Sequence, residues 1–552
     1  MEDACKINKL SLCSWFVALI VPLGYAYFYT PYGMDTTDFG YFYGYAWRIL
    51  EGQIPYRDFY YIKPALPIYW HALWMWISPD SINILCGKLG FVVAMLITSW
   101  LASITLSKIF DFKAINLPLP MLATCGFVFG VHSFPHMPWH TIDGILFSSI
   151  SLWSCISGFP IIAGIFAIAA MLCKQSFILV PFGLCLFLYC FKPIKLAWLK
   201  FALTCVILII SFYVLLHYCG AWEQFSRMTT GQLDIREAFD AGIGIYLHQN
   251  WWPLVLSIAI FIVISLFFKQ YKDSFPPTSI YAFILLVWYI RDVLMTKSWI
   301  GYGLSWPTLF VLLGVICILF PKKFLIPVVK EQWKNLHFLN ISVAFGVCLL
   351  ISWSVAISGG YKIPAFFAVP LIFAFFMIHR FLGGSVIRLS YLSLIVGIVM
   401  FGVGYQFPYV FPVRDMPRSS LVFDAGDIYS KAKYVKVDNI MYEKLNELKQ
   451  LREKYGTNYK TLPGFSFSYY LNNDNPIYSS DWLIDWEINA EVDILYNELL
   501  DKKIIVFMER DQMDAVKADN YDRAGYSVPQ KVRNLWKIID ETKHFVVFCP
   551  PF

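Results

Sequence analysis

At 552 residues, with 58% of them apolar, only 15% charged and a mean hydropathy of +0.56, the chain lies outside the range of soluble domains. The formal net charge of +6 is accounted for by short basic loops and gives no reason to infer nucleic-acid binding. The thirteen cysteines fall mostly in apolar stretches, among them Cys86, Cys125, Cys155, Cys173, Cys185 and Cys205, so they read as small core residues and not as a disulfide framework.

A helix needs roughly 20 apolar residues to cross a hydrocarbon core of ~30 Å, and within lipid every backbone polar group must be paired inside its own segment. Hydropathy places such segments at 11–30, 82–107, 115–131, 143–157, 160–173, 176–191, 198–218, 251–268, 279–296, 302–320, 338–357, 363–378 and 386–407. The chain therefore reads as an all-α polytopic membrane domain of about thirteen helices, with the short segments between 143 and 191 open to a re-entrant or merged helix. The first segment is long and aromatic and no small-residue cleavage site follows it, so it reads as an uncleaved span.

Lys and Arg collect in short cytoplasmic loops. With the N-terminus inside, the inner loops carry Lys6 and Lys9, Lys108 and Lys113, Lys192, Lys195 and Lys200, Lys269 and Lys272, Lys322, Lys323, Lys330 and Lys334, and finally Arg380 and Arg388. An odd number of crossings then puts the tail outside, together with the loops 31–81, 132–142, 219–250, 297–301 and 358–362. The expected domains are a transmembrane catalytic unit, 1–410, and an extracytoplasmic α/β domain, 411–552.

Within the long first outer loop, residues 38–50 and 65–77 mix aromatic and polar positions as amphipathic helices in a membrane interface do. Asp35, Asp38, Arg57, Asp58 and Lys63 lie around them. A carboxylate and a lysine beside the headgroups suit chemistry on a lipid phosphate, where a base activates an acceptor and a cation neutralises the leaving group. His132, His136 and His140 are spaced four apart, but Pro135 and Pro138 break the helix that would gather them on a metal. In the tail, helices are expected around 438–455 and 489–501, a turn at Leu462-Pro463-Gly464, and strands at 503–507 and 544–548. No Gly-rich phosphate loop, CxxC or nucleophile elbow stands there, so its expected task is to cover or select, without chemistry of its own.

Asp38 with Tyr41, then Gly52, Pro55-Tyr56 and Lys63-Pro64-Ala65 resemble the acid-bearing first outer loop of the GT-C glycosyltransferases, in particular the protein O-mannosyltransferase and aminoarabinose-transferase branch that uses polyprenyl-phosphate sugars. The departures are Thr37 in place of the first of two acids, Ala65 in place of a second proline, and Ile62 before the lysine. The resemblance implies inverting transfer from a polyprenyl-phosphate sugar to an outward glycan, lipid or protein acceptor, in a bacterial inner membrane. It calls for no cofactor and leaves a divalent metal open. It makes Asp38 or Asp35 the catalytic acid, Asp143 in His140-Thr141-Ile142-Asp143-Gly144 a second one, and Lys63, Lys174, Arg291 and Lys362 contacts to the donor phosphate. Tyr41, Arg57, Tyr61 and His140 complete the candidate substrate contacts.

Plainer roles compete at each position: a helix cap for Asp38 or Asp143, headgroup snorkelling for Lys63, mutual pairing for Arg57 and Asp58. Two other functions also stand beside the transferase. A lipid-linked glycan polymerase or ligase is expected to carry its main loop late in the chain, and a transporter or flippase to carry ionisable groups near mid-membrane and internal repeats.

Overall fold

The computed structural model describes residues 2–110, 119–134, 136–191, 193–229, 416–485, 487–488, 491–512 and 525–551, with isolated positions between 230 and 415. Apart from those isolated positions, the spans expected from 251 to 407 lie outside the described residues, as do Arg291 and Lys362.

Among the described residues, helices form close to where hydropathy predicts them. They are α1 (Glu2–Phe28), α2 (Asp38–Leu50), α3 (Leu66–Ile77), α4 (Asn83–Phe110), α5 (Leu119–Ser133), α6 (His140–Ile156), α7 (Pro160–Met171), α8 (Val180–Phe191), α9 (Ala197–Tyr218) and α10 (Trp222–Thr229). The short turn between α6 and α7 shows the local logic: Gly158 takes the positive φ of 82° that ends a helix, and Pro160 opens the next with its φ already set. α4 packs on α5 and α6, α6 on α7, and α7 on α9.

Two of the described helices, Asp80–Thr105 and Ala197–Tyr218, are long and apolar enough to cross a membrane, and the shorter Leu12–Phe28, Leu119–Val128, Pro160–Met171 and Gln175–Phe191 are also apolar. Leu203, Val206, Ile207, Ile210, Val214 and Leu215 on α9 are each more than half exposed. Such a stripe is unfavourable in water and at no disadvantage in hydrocarbon.

Among the described residues, loops that the charge parity assigns to one side lie together. Lys108 bonds the hydroxyl of Ser157 at 3.0 Å, joining two loops assigned to the same inner side. At the other end of the bundle, the first outer loop, the α5–α6 loop and the α7–α8 break converge beneath the tail domain.

That domain is α/β. Its sheet runs in the order β3 (Tyr459–Leu462), β4 (Ile505–Glu509), β6 (Phe545–Cys549), β5 (Lys537–Glu541), with β3 and β4 parallel and the other pairs antiparallel; a separate pair, β1 (Phe423–Asp424) and β2 (Lys436–Val437), precedes it. Among the described residues, the strands are accompanied by α11 (Asn439–Tyr455), α12 (Ser468–Asn472), α13 (Val492–Asp501) and α14 (Ser527–Leu535). Asp438 caps α11 through the Met441 N–H, and Leu445, Leu448 and Leu451 bury its inner face.

The domain is tied to the first outer loop over a broad front. Gly33 N–H donates to the Lys436 carbonyl at 2.8 Å and Lys436 N–H to the Pro31 carbonyl at 2.6 Å. A Cβ on Gly44 would stand 2.4 Å from the Ser466 carbonyl oxygen, and one on Gly40 would stand 2.6 Å from the Phe467 ring, so only glycines let this backbone settle on α2.

One expectation is corrected by this docking. α3 is amphipathic as predicted, with Ile68, His71, Ala72 and Met75 inward and Leu73 and Trp76 exposed. α2 is not: every residue from Phe39 to Ala46 is buried, and so is Arg48, because the tail domain covers the face that an interfacial helix would turn to headgroups and water.

Candidate active site

Asp35 and Asp38 compete in the sequence, and local geometry separates them. Asp35 is buried and fully engaged: Oδ1 accepts from the Thr37 N–H at 2.8 Å and from the Thr37 hydroxyl at 2.7 Å, and Oδ2 accepts from the Phe39 N–H at 3.2 Å. It satisfies the start of α2. Asp38 opens that helix without capping it; its carboxylate accepts no hydrogen bond from any described residue. Withdrawal from water and the neighbouring Asp35 charge push its carboxyl up to about 7, with Glu487 adding to the rise while Lys63 and Lys174 oppose it. Burial also raises Asp35, against its three hydrogen bonds.

Lys63 follows the loop after α2 and lies over the Tyr41 ring, 4.8 Å from its centroid. Its Nζ donates to Glu487 Oε1 at 2.7 Å, and the Tyr41 hydroxyl donates to Glu487 Oε2 at 3.0 Å. Lys174 stands in the break before α8, buried, its Nζ donating to the Thr141 hydroxyl at 3.3 Å. Desolvation and the Lys63 charge lower its pKa to about 7, opposed by Asp38 and Glu487. The break itself is held against the loop by Gln175, whose side-chain amide donates to the Ile62 carbonyl at 2.7 Å.

Asp143 does not cap its helix. Its Oδ2 pairs with His71 Nε2 at 2.9 Å, linking α6 to α3, with both side chains buried. His140, one turn earlier, is buried beside Phe42, and both its ring nitrogens lack a hydrogen-bond partner; the buried Tyr61 hydroxyl likewise has none. Unpaired buried polar atoms are rare in folded proteins and mark places where a ligand's hydroxyls can bond. Tyr61 stacks on Tyr41 at 5.6 Å, so the two rings share a wall. Arg57 is not drawn in: exposed, it pairs with the adjacent Asp58 at 2.7 Å. Among the described residues no group of three or more His, Cys, Asp or Glu side chains is placed to hold a metal ion.

The tail domain, expected to cover or select without chemistry of its own, brings Glu487 to this site. Its carboxylate, almost fully buried, reaches Lys63 from the 478–488 loop. That loop is anchored by Asp481, which takes Arg48 Nε at 2.6 Å and Nη2 at 2.7 Å, while Arg48 also donates to the Tyr478 carbonyl. No sequence signal near Glu487 distinguishes it from the other acids of the tail; only the docking shows its target.

Asp38, Lys63, Lys174, Tyr41, Tyr61, His140 and Asp143 thus gather at one end of the bundle. No family model and no curated protein matches the sequence. Among solved structures, the chain is similar to ArnT from Cupriavidus metallidurans bound to undecaprenyl phosphate, at 12% identity over 98% of both chains with a TM-score of 0.38, and to the same protein in the apo state, with a TM-score of 0.41. It is also similar to the Archaeoglobus fulgidus oligosaccharyltransferase in complex with Zn and sulfate, at 12% identity over 94% of this chain and 71% of that one, with a TM-score of 0.46. Likeness at this level carries no functional argument; the side chains must supply it.

Proposed function

We propose that this chain is an integral membrane glycosyltransferase that moves a sugar, hexosyl or pentosyl, from a polyprenyl-phosphate donor to an outward acceptor hydroxyl with inversion. The observation that carries the reading is Asp38: a carboxylate that no described residue hydrogen-bonds, raised in its pKa, sharing a partly dry site with Lys63 and Lys174. In the step, the acceptor oxygen forms a bond to the anomeric carbon. The bond from that carbon to the phosphate oxygen breaks, its electron pair leaves with the polyprenyl phosphate, and the acceptor proton passes to Asp38. Lys63 and Lys174 stabilise the charge that grows on the phosphate, which a site held away from water does more strongly than bulk solvent. His140 and Tyr61 are suited to meet sugar hydroxyls, and His71 holds Asp143 toward the same space. The acceptor is a glycan, lipid or protein, and the protein sits as a multi-pass protein of a bacterial inner membrane with the N-terminus cytoplasmic and the tail domain outside.

The test uses purified protein in lipid and a panel of radiolabelled polyprenyl-phosphate sugars, with released polyprenyl phosphate as the readout. One donor consumed by the wild type, and not by Asp38→Asn, is the expected result. If no monosaccharide donor is bound or consumed, the transferase reading fails and a lipid-linked glycan polymerase or a transporter becomes the next to test.

A further inference from the structure

No excess of positive charge faces the proposed donor site before any substrate arrives. In their ionised forms Asp38 and Glu487 supply two negative charges and Lys63 and Lys174 two positive ones, while Asp35, bonded only to neutral N–H and O–H groups, adds a further negative charge beside Asp38. A phosphate delivered to Lys63 therefore adds negative charge to a site with no positive charge to spare, next to a carboxylate at 2.7 Å from the same ammonium group. Two anions on one ammonium in a poorly solvated site repel strongly.

We propose that Glu487 is a resident counter-ion that yields Lys63 to the lipid phosphate, so that donor binding and the seating of Glu487 and Ile488 are coupled. The inference rests on the transferase reading and adds a positioning residue to it. Before binding, Glu487 neutralises a partly buried lysine, and keeps Tyr41 and Lys63 in place by one bond to each. On binding, the phosphate takes over the Lys63 contact and the carboxylate withdraws with its segment, in which the Glu487 and Ile488 N–H groups bond the Ile484 carbonyl at 2.9 and 3.2 Å. On release of polyprenyl phosphate the carboxylate returns, which favours product departure. Effectors of this kind act only through a difference in affinity between the two states.

The substitution Glu487→Gln keeps the shape and one acceptor and removes the charge. With undecaprenyl phosphate as the probe, in nanodiscs of zwitterionic lipid, the variant is expected to bind about tenfold tighter than wild type, with KM for the donor sugar falling and kcat falling with it as product leaves more slowly. A merely structural Glu487 gives the opposite: weaker binding and a raised KM. In a Lys63→Met background the Glu487→Gln effect should disappear, since there is no shared ammonium to compete for. In wild type, saturating probe should raise amide exchange at Glu487 and Ile488 severalfold, a measurement that needs no variant to fold. If wild type binds the probe, unchanged or weaker binding by Glu487→Gln, or unchanged exchange, overturns the proposal alone. If wild type does not bind it, the transferase reading falls as well. Equal exchange at Glu487 on adding phosphatidylglycerol instead of the probe overturns the assignment to the donor lipid.

Discussion

The pH dependence of turnover offers the most direct check on Asp38. With its carboxyl near 7, Asp38 is about half ionised at neutral pH, roughly a tenth ionised at pH 6 and about a hundredth at pH 5. A base must be ionised to accept the acceptor's proton, so kcat/KM should fall about tenfold per pH unit on the acid side of 7. Lys174, also near 7 in the empty site, must be protonated to hold phosphate, so kcat/KM should fall again on the alkaline side, and the two limbs belong to the interacting pair as a unit. Bound phosphate favours both the charged lysine and the neutral carboxyl, so in kcat both limbs should move to higher pH. Asp38→Asn should lower turnover by about 10²–10⁴, or ~3–5 kcal/mol of barrier, and should flatten the acid limb. Initial rates of polyprenyl-phosphate release from pH 5 to 9, for both proteins, decide it. An Asp38→Asn enzyme within threefold of wild type, or one that keeps the acid limb, would refute the reasoning and turn attention to Asp35 and Asp143.

Other consequences are equally open to measurement. Lys63→Ala and Lys174→Ala should each lower kcat about a hundredfold by removing one stabiliser of the leaving phosphate, and a variant that only raises KM would mean a role in binding alone. Asp481→Asn leaves the buried Arg48 guanidinium without its counter-charge and should destabilise the docked tail by ~3–5 kcal/mol, seen as a thermal transition lowered by several degrees; an unchanged transition counts against the anchor. Gly44→Val drives a side chain into the Ser466 carbonyl, so it should both lower that transition and reduce transfer, and full activity would mean that the tail can sit elsewhere.

Much of this protein can be read from one dimension. The residues at 38–50, 160–173 and 198–218 become helices close to those limits because apolar length, Pro160 and Gly158 act locally, and the same holds for 438–455 with Asp438 before it. Charge parity assigns the loops to two sides by counting Lys and Arg between apolar runs, without reference to packing. Asp38, Lys63, Lys174 and Asp143 were legible as candidates because acids and bases are uncommon beside long apolar segments and the first loop resembles a known one. What the residues around them could not tell is decided by contacts across hundreds of positions. Asp35 and Asp38 are chemically alike until the start of α2 claims one of them. Arg57 looks as suited to a phosphate as Lys63 until its neighbour Asp58 takes it at the surface. The face of α2 that amphipathic spacing assigns to the membrane interface is covered by a domain 420 and more residues later, through two glycines whose purpose is visible only when Ser466 and Phe467 lie against them. Glu487 is the plainest case: an acid in an acid-rich tail finds its cation because the Arg48–Asp481 pair sets its loop over Lys63, and electrostatic pairing of this kind is a property of distance in space, which sequence order does not encode.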